Sequence, residues 1–76
     1  MSIVLYSKPQ CYKCVATKRY LDKLQLPYQV IDVTEDAEAK KYVESLGYKQ
    51  MPVVQVGDVT WDDFRVEKLV ALKQSA

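Results

Sequence analysis

An apolar run, Ile3 to Tyr6, leads through Ser7-Lys8-Pro9-Gln10 into Cys11-Tyr12-Lys13-Cys14, and a helical pattern leaves it. This arrangement sets a pair of thiols where a strand ends and a helix begins. The first turn of a helix offers unpaired N–H groups and the positive end of the helix dipole, and both favour a thiolate over a thiol. Lys8 and Lys13 add positive charge beside it. A free cysteine titrates near ~8.5, and C-x-x-C sites of this kind lie well below that. Cys11 and Cys14 are the chain's two cysteines, and they read as a dithiol that is chemically used. A structural disulfide would close a loop of only a few residues and remove little entropy from the unfolded chain. Structural zinc takes a full set of Cys or His ligands, whereas this chain has two Cys and no His. A metal would need a second chain or carboxylates, so no metal site is expected.

The remaining residues alternate between two periods. Ile3 to Tyr6 is a short continuous apolar run, suited to a buried parallel strand. From about Tyr12 to Leu26, Cys14, Thr17, Leu21 and Leu24 recur at helical spacing, and Pro27 stops the helix. Tyr28 to Val33 is β-rich, and Thr34 or Asp36 can cap a second helix. Ala39, Tyr42, Val43 and Leu46 mark one face of that helix, with Gly47 as its C-terminal cap. Lys40-Lys41 reads as a solvated part of it. Pro52 to Val56 and Val59 to Trp61 read as two short strands joined at Gly57-Asp58, a hairpin signal. A last helix runs from near Arg65 to about Gln74, with Val66, Leu69, Val70 and Leu72 as its apolar contacts.

The order is βαβαββα in one domain, residues 1–76. A right-handed β–α–β crossover makes the first two strands parallel, and the hairpin adds two antiparallel strands. The expected fold is α/β, a four-stranded mixed sheet flanked by three helices. With C-x-x-C at the first strand-to-helix junction, that is a thioredoxin-like layout. In open α/β sheets the working site lies at the carboxyl ends of strands, where Cys11 falls. Cys11, at the exposed helix start, is the candidate nucleophile, and Cys14, one turn further in, the candidate resolving thiol. Lys13 is either a tuning charge or a solvated helix-start residue, and Tyr12 either an exposed aromatic or a partner contact. An X-Pro bond is cis in only ~5–6% of folded cases. The thioredoxin-like layout implies the reverse for Met51-Pro52: a cis-Pro opening the third strand, with the Met51 backbone offered to an extended substrate segment.

Eleven basic against ten acidic residues leave a net charge of +1, which argues against general nucleic-acid binding. The first residues hold no basic n-region and no stretch long enough for a signal peptide or a membrane span. The expected setting is therefore the reducing cytoplasm, where a C-x-x-C is more often catalytic than structural.

Tyr6-Ser7-Lys8-Pro9-Gln10-Cys11-Tyr12-Lys13-Cys14 resembles a glutaredoxin opening. The segment from Asp36 to Tyr48, then Gln50-Met51-Pro52-Val53-Val54 and Trp61-Asp62-Asp63-Phe64-Arg65, is similar to the NrdH-redoxin branch over nearly the whole chain. The resemblance implies a glutaredoxin-like sequence with thioredoxin-like activity: a monomeric electron carrier, reduced by thioredoxin reductase with NADPH, that serves the class Ib ribonucleotide reductase large subunit. It implies no bound cofactor beyond the redox-active Cys11-Cys14 pair. Partner contacts are expected at Lys8, Tyr12, Lys13, Met51, Pro52, Trp61, Phe64 and Arg65. The alternative is a glutathione-dependent glutaredoxin, although the glutaredoxins' double-Gly-Asp region is reduced here to Gly57-Asp58. Trp61 and Phe64 have a second reading, as plugs of the core under the hairpin and last helix, and Arg65 as a local brace of its loop. The chain departs from the branch at Tyr12-Lys13, where Val-Gln or Met-Gln is common. It also departs at Asp62-Asp63, in place of Ser-Gly, and at Val66, in place of Pro. The two carboxylates read as a helix-start anion cluster or a solvated cap. Leu5 stands where thioredoxins carry a buried Asp.

Overall fold

The computed structural model describes residues 2–75. Strand β1 (Ile3–Ser7), helix α1 (Tyr12–Lys23), β2 (Gln29–Asp32), α2 (Ala37–Ser45), β3 (Val53–Val56), β4 (Val59–Asp62) and α3 (Val66–Ser75) follow in the expected order. The sheet order is β2-β1-β3-β4. β1 runs parallel to β2, with Leu5 opposite Val30, and antiparallel to β3, with Leu5 opposite Val54. A strand flanked on both sides and covered on both faces must be apolar throughout. That is why Ile3 to Tyr6 shows no polar alternation. Gly57 takes φ +60° in the two-residue β3–β4 turn, a conformation glycine adopts without steric cost. The chain is thus a four-stranded mixed sheet with three helices, a thioredoxin-like fold.

Two apolar clusters lie on opposite faces of the sheet. Ile3, Leu5, Val54 and Trp61 pack with Leu21 of α1 and Leu69 of α3. Tyr6 and Val53 pack with Ala39 and Val43 of α2. The period of two along β1 divides its side chains between the clusters. Asp36 rather than Thr34 caps α2, its carboxylate accepting the Ala39 N–H at 3.0 Å. Thr34 instead donates its N–H and hydroxyl to Asp32, at 2.8 and 2.6 Å. Among the described residues no helix is long and apolar enough to cross a membrane.

One boundary moves. The periodicity predicts α1 out to about Leu26, but the helix ends at Lys23. Gln25 turns left-handed at φ +59°. Its N–H bonds to the Asp22 carbonyl, and the Leu26 N–H reaches back to the Leu21 carbonyl at 3.1 Å. This is a Schellman close, and it carries the expected apolar contact: Leu26 and Leu21 share one cluster. Pro27 lies beyond a helix that has already ended. The left-handed position holds glutamine, and an L side chain there costs ~1–2 kcal/mol. Gln25→Gly should therefore raise unfolding stability by about 1 kcal/mol, less glycine's greater loss of freedom on folding. A urea midpoint that stays put or falls would show that the position is unstrained.

Candidate active site

The chain leaves β1 through Lys8-Pro9 and turns at Gln10, which sits at φ +57° without being glycine. That turn delivers Cys11 as the N-cap of α1, in extended conformation at φ −116°, ψ 102°. The Cys11 carbonyl accepts the Val15 N–H at 3.1 Å, and its sulfur accepts the Cys14 N–H at 3.2 Å. A helix N-cap is normally served by a side-chain oxygen; here sulfur takes that place. An ionised sulfur would gain from the same N–H and from the helix dipole. The two cysteines form a disulfide. Cys11 lies at the surface, half-buried, and Cys14 is only 1% exposed behind it. Thr17, buried one turn on, satisfies its hydroxyl at the Lys13 carbonyl, 2.8 Å away.

A shallow groove of about 260 Å³ runs past the sulfur, with Lys8, Cys11, Lys49, Gln50 and Met51 in its walls. The Met51-Pro52 bond is cis, and Pro52 is buried. Cys11 and Met51 thus face one groove, the arrangement expected from the sequence. A second concavity lies beyond Cys11, bordered by Tyr12, Val15 and Lys18. Tyr12 is 79% exposed beside the sulfur and free to meet a partner.

Lys13 is not merely solvated. Its ammonium stands 3.0 Å from the Asp63 carboxylate and 3.4 Å from the Gln50 amide oxygen. It joins the first turn of α1 to the segments before β3 and after β4. Asp63 is itself fixed. It sits at φ +71°, donates its N–H to the Pro52 carbonyl at 2.9 Å, and accepts the Phe64 N–H at 2.8 Å. The Phe64 N–H, then the Lys13 ammonium, hold the Asp63 carboxyl below the ordinary carboxylate range. The hydrogen bond to Asp63 holds the Lys13 ammonium above its ordinary value. The pair is therefore intact at neutral pH. It is lost as pH falls through the lowered carboxyl value, or rises through the raised ammonium one. About a third of each side chain is exposed, so its worth to global stability is small.

Asp62 and Asp63 do not form an anion cluster, because each meets its own cation. Arg65 donates Nε to the Asp62 carbonyl at 3.0 Å and lies 3.5 Å from its carboxylate. Arg65 thus braces its own loop. The expected docking patch of Trp61 and Phe64 gives way to the core reading. Trp61 is 6% exposed within the cluster of Leu5, Leu21 and Leu69. It points inward because, opposite Val54, it shares that residue's face of the sheet. Phe64 is half-buried against the same cluster, edge-on to Tyr20 at 6.2 Å. Sequence reasoning missed the Lys13–Asp63 link. Its signal was two departures of opposite charge from one family pattern. Gln10 carried no signal, since its left-handed turn lacks Gly, Asn or Asp.

Residues 3–61 match the glutaredoxin family. The glutaredoxin-like protein NrdH of Escherichia coli (strain K12) is 33% identical over 69 residues, 91% of this chain and 85% of that protein. NrdH of Lactococcus lactis subsp. cremoris (strain MG1363) is 27% identical over 70 residues, 92% of this chain and 97% of that one. Among solved structures, the glutaredoxin-like NrdH-redoxin from Escherichia coli, which has a thioredoxin-like activity profile, is similar at TM-score 0.91. It is 33% identical, and the match covers 95% of both chains.

Burial of the indole has a direct consequence. Trp61→Ala should lower unfolding free energy by ~3–5 kcal/mol, the usual range for a buried Trp or Phe. A variant of unchanged melting temperature but weakened partner coupling would restore the docking reading.

Proposed function

The chain belongs to the glutaredoxin family, in its NrdH-redoxin branch, and from that premise we propose that it carries electrons from thioredoxin reductase to class Ib ribonucleotide reductase. Thiol–disulfide exchange at the Cys11–Cys14 pair is the chemistry of the family. The observation that carries the finer reading is the fit to NrdH-redoxin, a protein with a thioredoxin-like activity profile. The groove at Cys11 and Met51 supports it, since an extended peptide can lie there on backbone contacts without a demanding sequence.

The cycle follows from position. Reduced Cys11, as thiolate at the helix cap, attacks one sulfur of a substrate disulfide and forms a mixed disulfide. The other substrate sulfur leaves as thiolate. Cys14 then loses its proton and attacks the Cys11 sulfur. The Cys11–Cys14 bond forms, the mixed disulfide breaks, and the second substrate thiolate departs. Two electrons have passed to the substrate, and two protons complete its thiols. Closeness within one helical turn makes the second attack intramolecular. A dithiol of the reductase, recharged by NADPH, runs the same exchange on Cys11–Cys14 to reset the carrier.

Cys11→Ser should abolish turnover, and Cys14→Ser should accumulate a mixed disulfide with its target. Alkylation of the reduced protein at neutral pH should label Cys11 well before Cys14. Labelling in the opposite order would reverse the two roles. For the electron source, NADPH oxidation is followed with a disulfide substrate, thioredoxin reductase in one cuvette and glutathione with its reductase in the other. We expect efficient turnover in the first and little in the second. Robust glutathione-driven turnover with none from thioredoxin reductase would make the chain a glutathione-dependent glutaredoxin.

A further inference from the structure

Reducing the disulfide with two electrons and one proton leaves a thiol at Cys14 and a negative charge at Cys11. The charged and titratable groups around that sulfur come from four segments. The loop before α1 brings Lys8, α1 brings Tyr12, Lys13 and Lys18, and the segment before β3 brings Lys49. From the end of β4 comes Asp62 and from the loop after it Asp63, with Arg65 beyond them, Asp62 turned to Arg65 and Asp63 to Lys13. Lys13, two residues past Cys11, is thus the cation of the groove wall with a countercharge anchored outside it, in the loop after β4.

We propose that Asp63 is a positioning residue for the thiol chemistry: by holding the Lys13 ammonium it withholds that charge from the Cys11 thiolate, and so makes the dithiol a stronger reductant. The geometry differs from a loose surface pair. The Asp63 backbone is pinned to the Pro52 carbonyl at 2.9 Å, its carboxylate is pinned to the Phe64 N–H at 2.8 Å, and Gln50 holds the ammonium from a second side. A fixed carboxylate cancels the field of a lysine that the helix start would otherwise lend to the sulfur. The better a thiolate is stabilised, the more the reduced form is favoured and the more oxidising the pair becomes. Asp63 acts against that tendency. The inference rests on the thiol–disulfide chemistry of the pair and is independent of which reductase feeds it.

Asp63→Asn tests it with the charge alone. Asparagine tolerates a positive φ and keeps an oxygen for the Phe64 N–H. On reduced protein, the pH dependence of thiolate absorbance and of iodoacetamide rate reads the Cys11 midpoint. Equilibration with a reference dithiol–disulfide couple reads the potential. In Asp63→Asn the midpoint should fall, and the equilibrium should move about threefold toward the reduced form, as for an exposed ion pair. For a two-electron couple that is about 14 mV. Lys13→Gln should raise the midpoint. In the Lys13→Gln background, Asp63→Asn should shift both readings by less than half as much. Salt near ~1 M should shrink the difference between Asp63→Asn and the wild type. A folded Asp63→Asn variant with an unchanged or raised midpoint would overturn the proposal. So would an undiminished effect without Lys13, which would mean that Asp63 acts on the sulfur directly.

Discussion

The Cys11 sulfur and the Cys11 carbonyl each accept an N–H from the first turn of α1, at 3.2 and 3.1 Å, and the site depends on that double cap. It converts the end of a strand flanked on both sides into the exposed start of a helix within a few residues. The strand supplies rigidity, because Leu5 is fully buried between β2 and β3. The helix supplies direction: Cys11 stays at the surface while Cys14, one turn later, passes under it. One sulfur lies at the surface and the other is buried behind it. That asymmetry is what the proposed two-step exchange relies on.

The second organising contact joins places where the chain departs from its branch. Lys13 lies between the cysteines, and Asp63 occupies a left-handed position where the branch pattern has glycine. Asparagine and aspartate tolerate that conformation better than most residues, so a charge enters the loop without reshaping it. Lys13 without Asp63 would leave an uncompensated positive charge beside the sulfur. Together they give a neutral bridge from the first turn of α1 to the loop after β4, closed further by Gln50. Lys8 and Lys49 still face the groove, so its remaining field is positive, suited to a thiolate or to an acidic segment.

Trp61 illustrates how an aromatic near a reactive group divides between two roles. Its motif invites a docking surface, yet its place opposite Val54 turns the ring toward Leu21 and Leu69. The buried indole then supports the loop that carries Asp63, two residues further on. Among the described residues, Tyr12, next to Cys11, is the aromatic exposed at the site.

The order of elements, the buried first strand and the cysteine pair were legible in the chain, and the cis bond ahead of β3 through the thioredoxin-like layout alone. Each rests on local chemistry or on a contiguous motif: an apolar run without alternation, cysteines at helix spacing, a Gly-Asp turn, a recognisable block at Gln50-Met51-Pro52. The end of α1 was not legible, because a Schellman close on Gln25 leaves no glycine to mark it. Nor was the inward turn of Trp61, which follows from register between β3 and β4 and not from hydrophobicity. The Lys13–Asp63 bridge joins residues far apart in the chain, and nothing local to either one names the other. Sequence by itself determined which two sulfur atoms pair and the scaffold that presents them, since both are written in neighbouring residues. Only the tertiary structure decided which charges stand beside those atoms, because pairing between distant loops is set by the packing that brings them together.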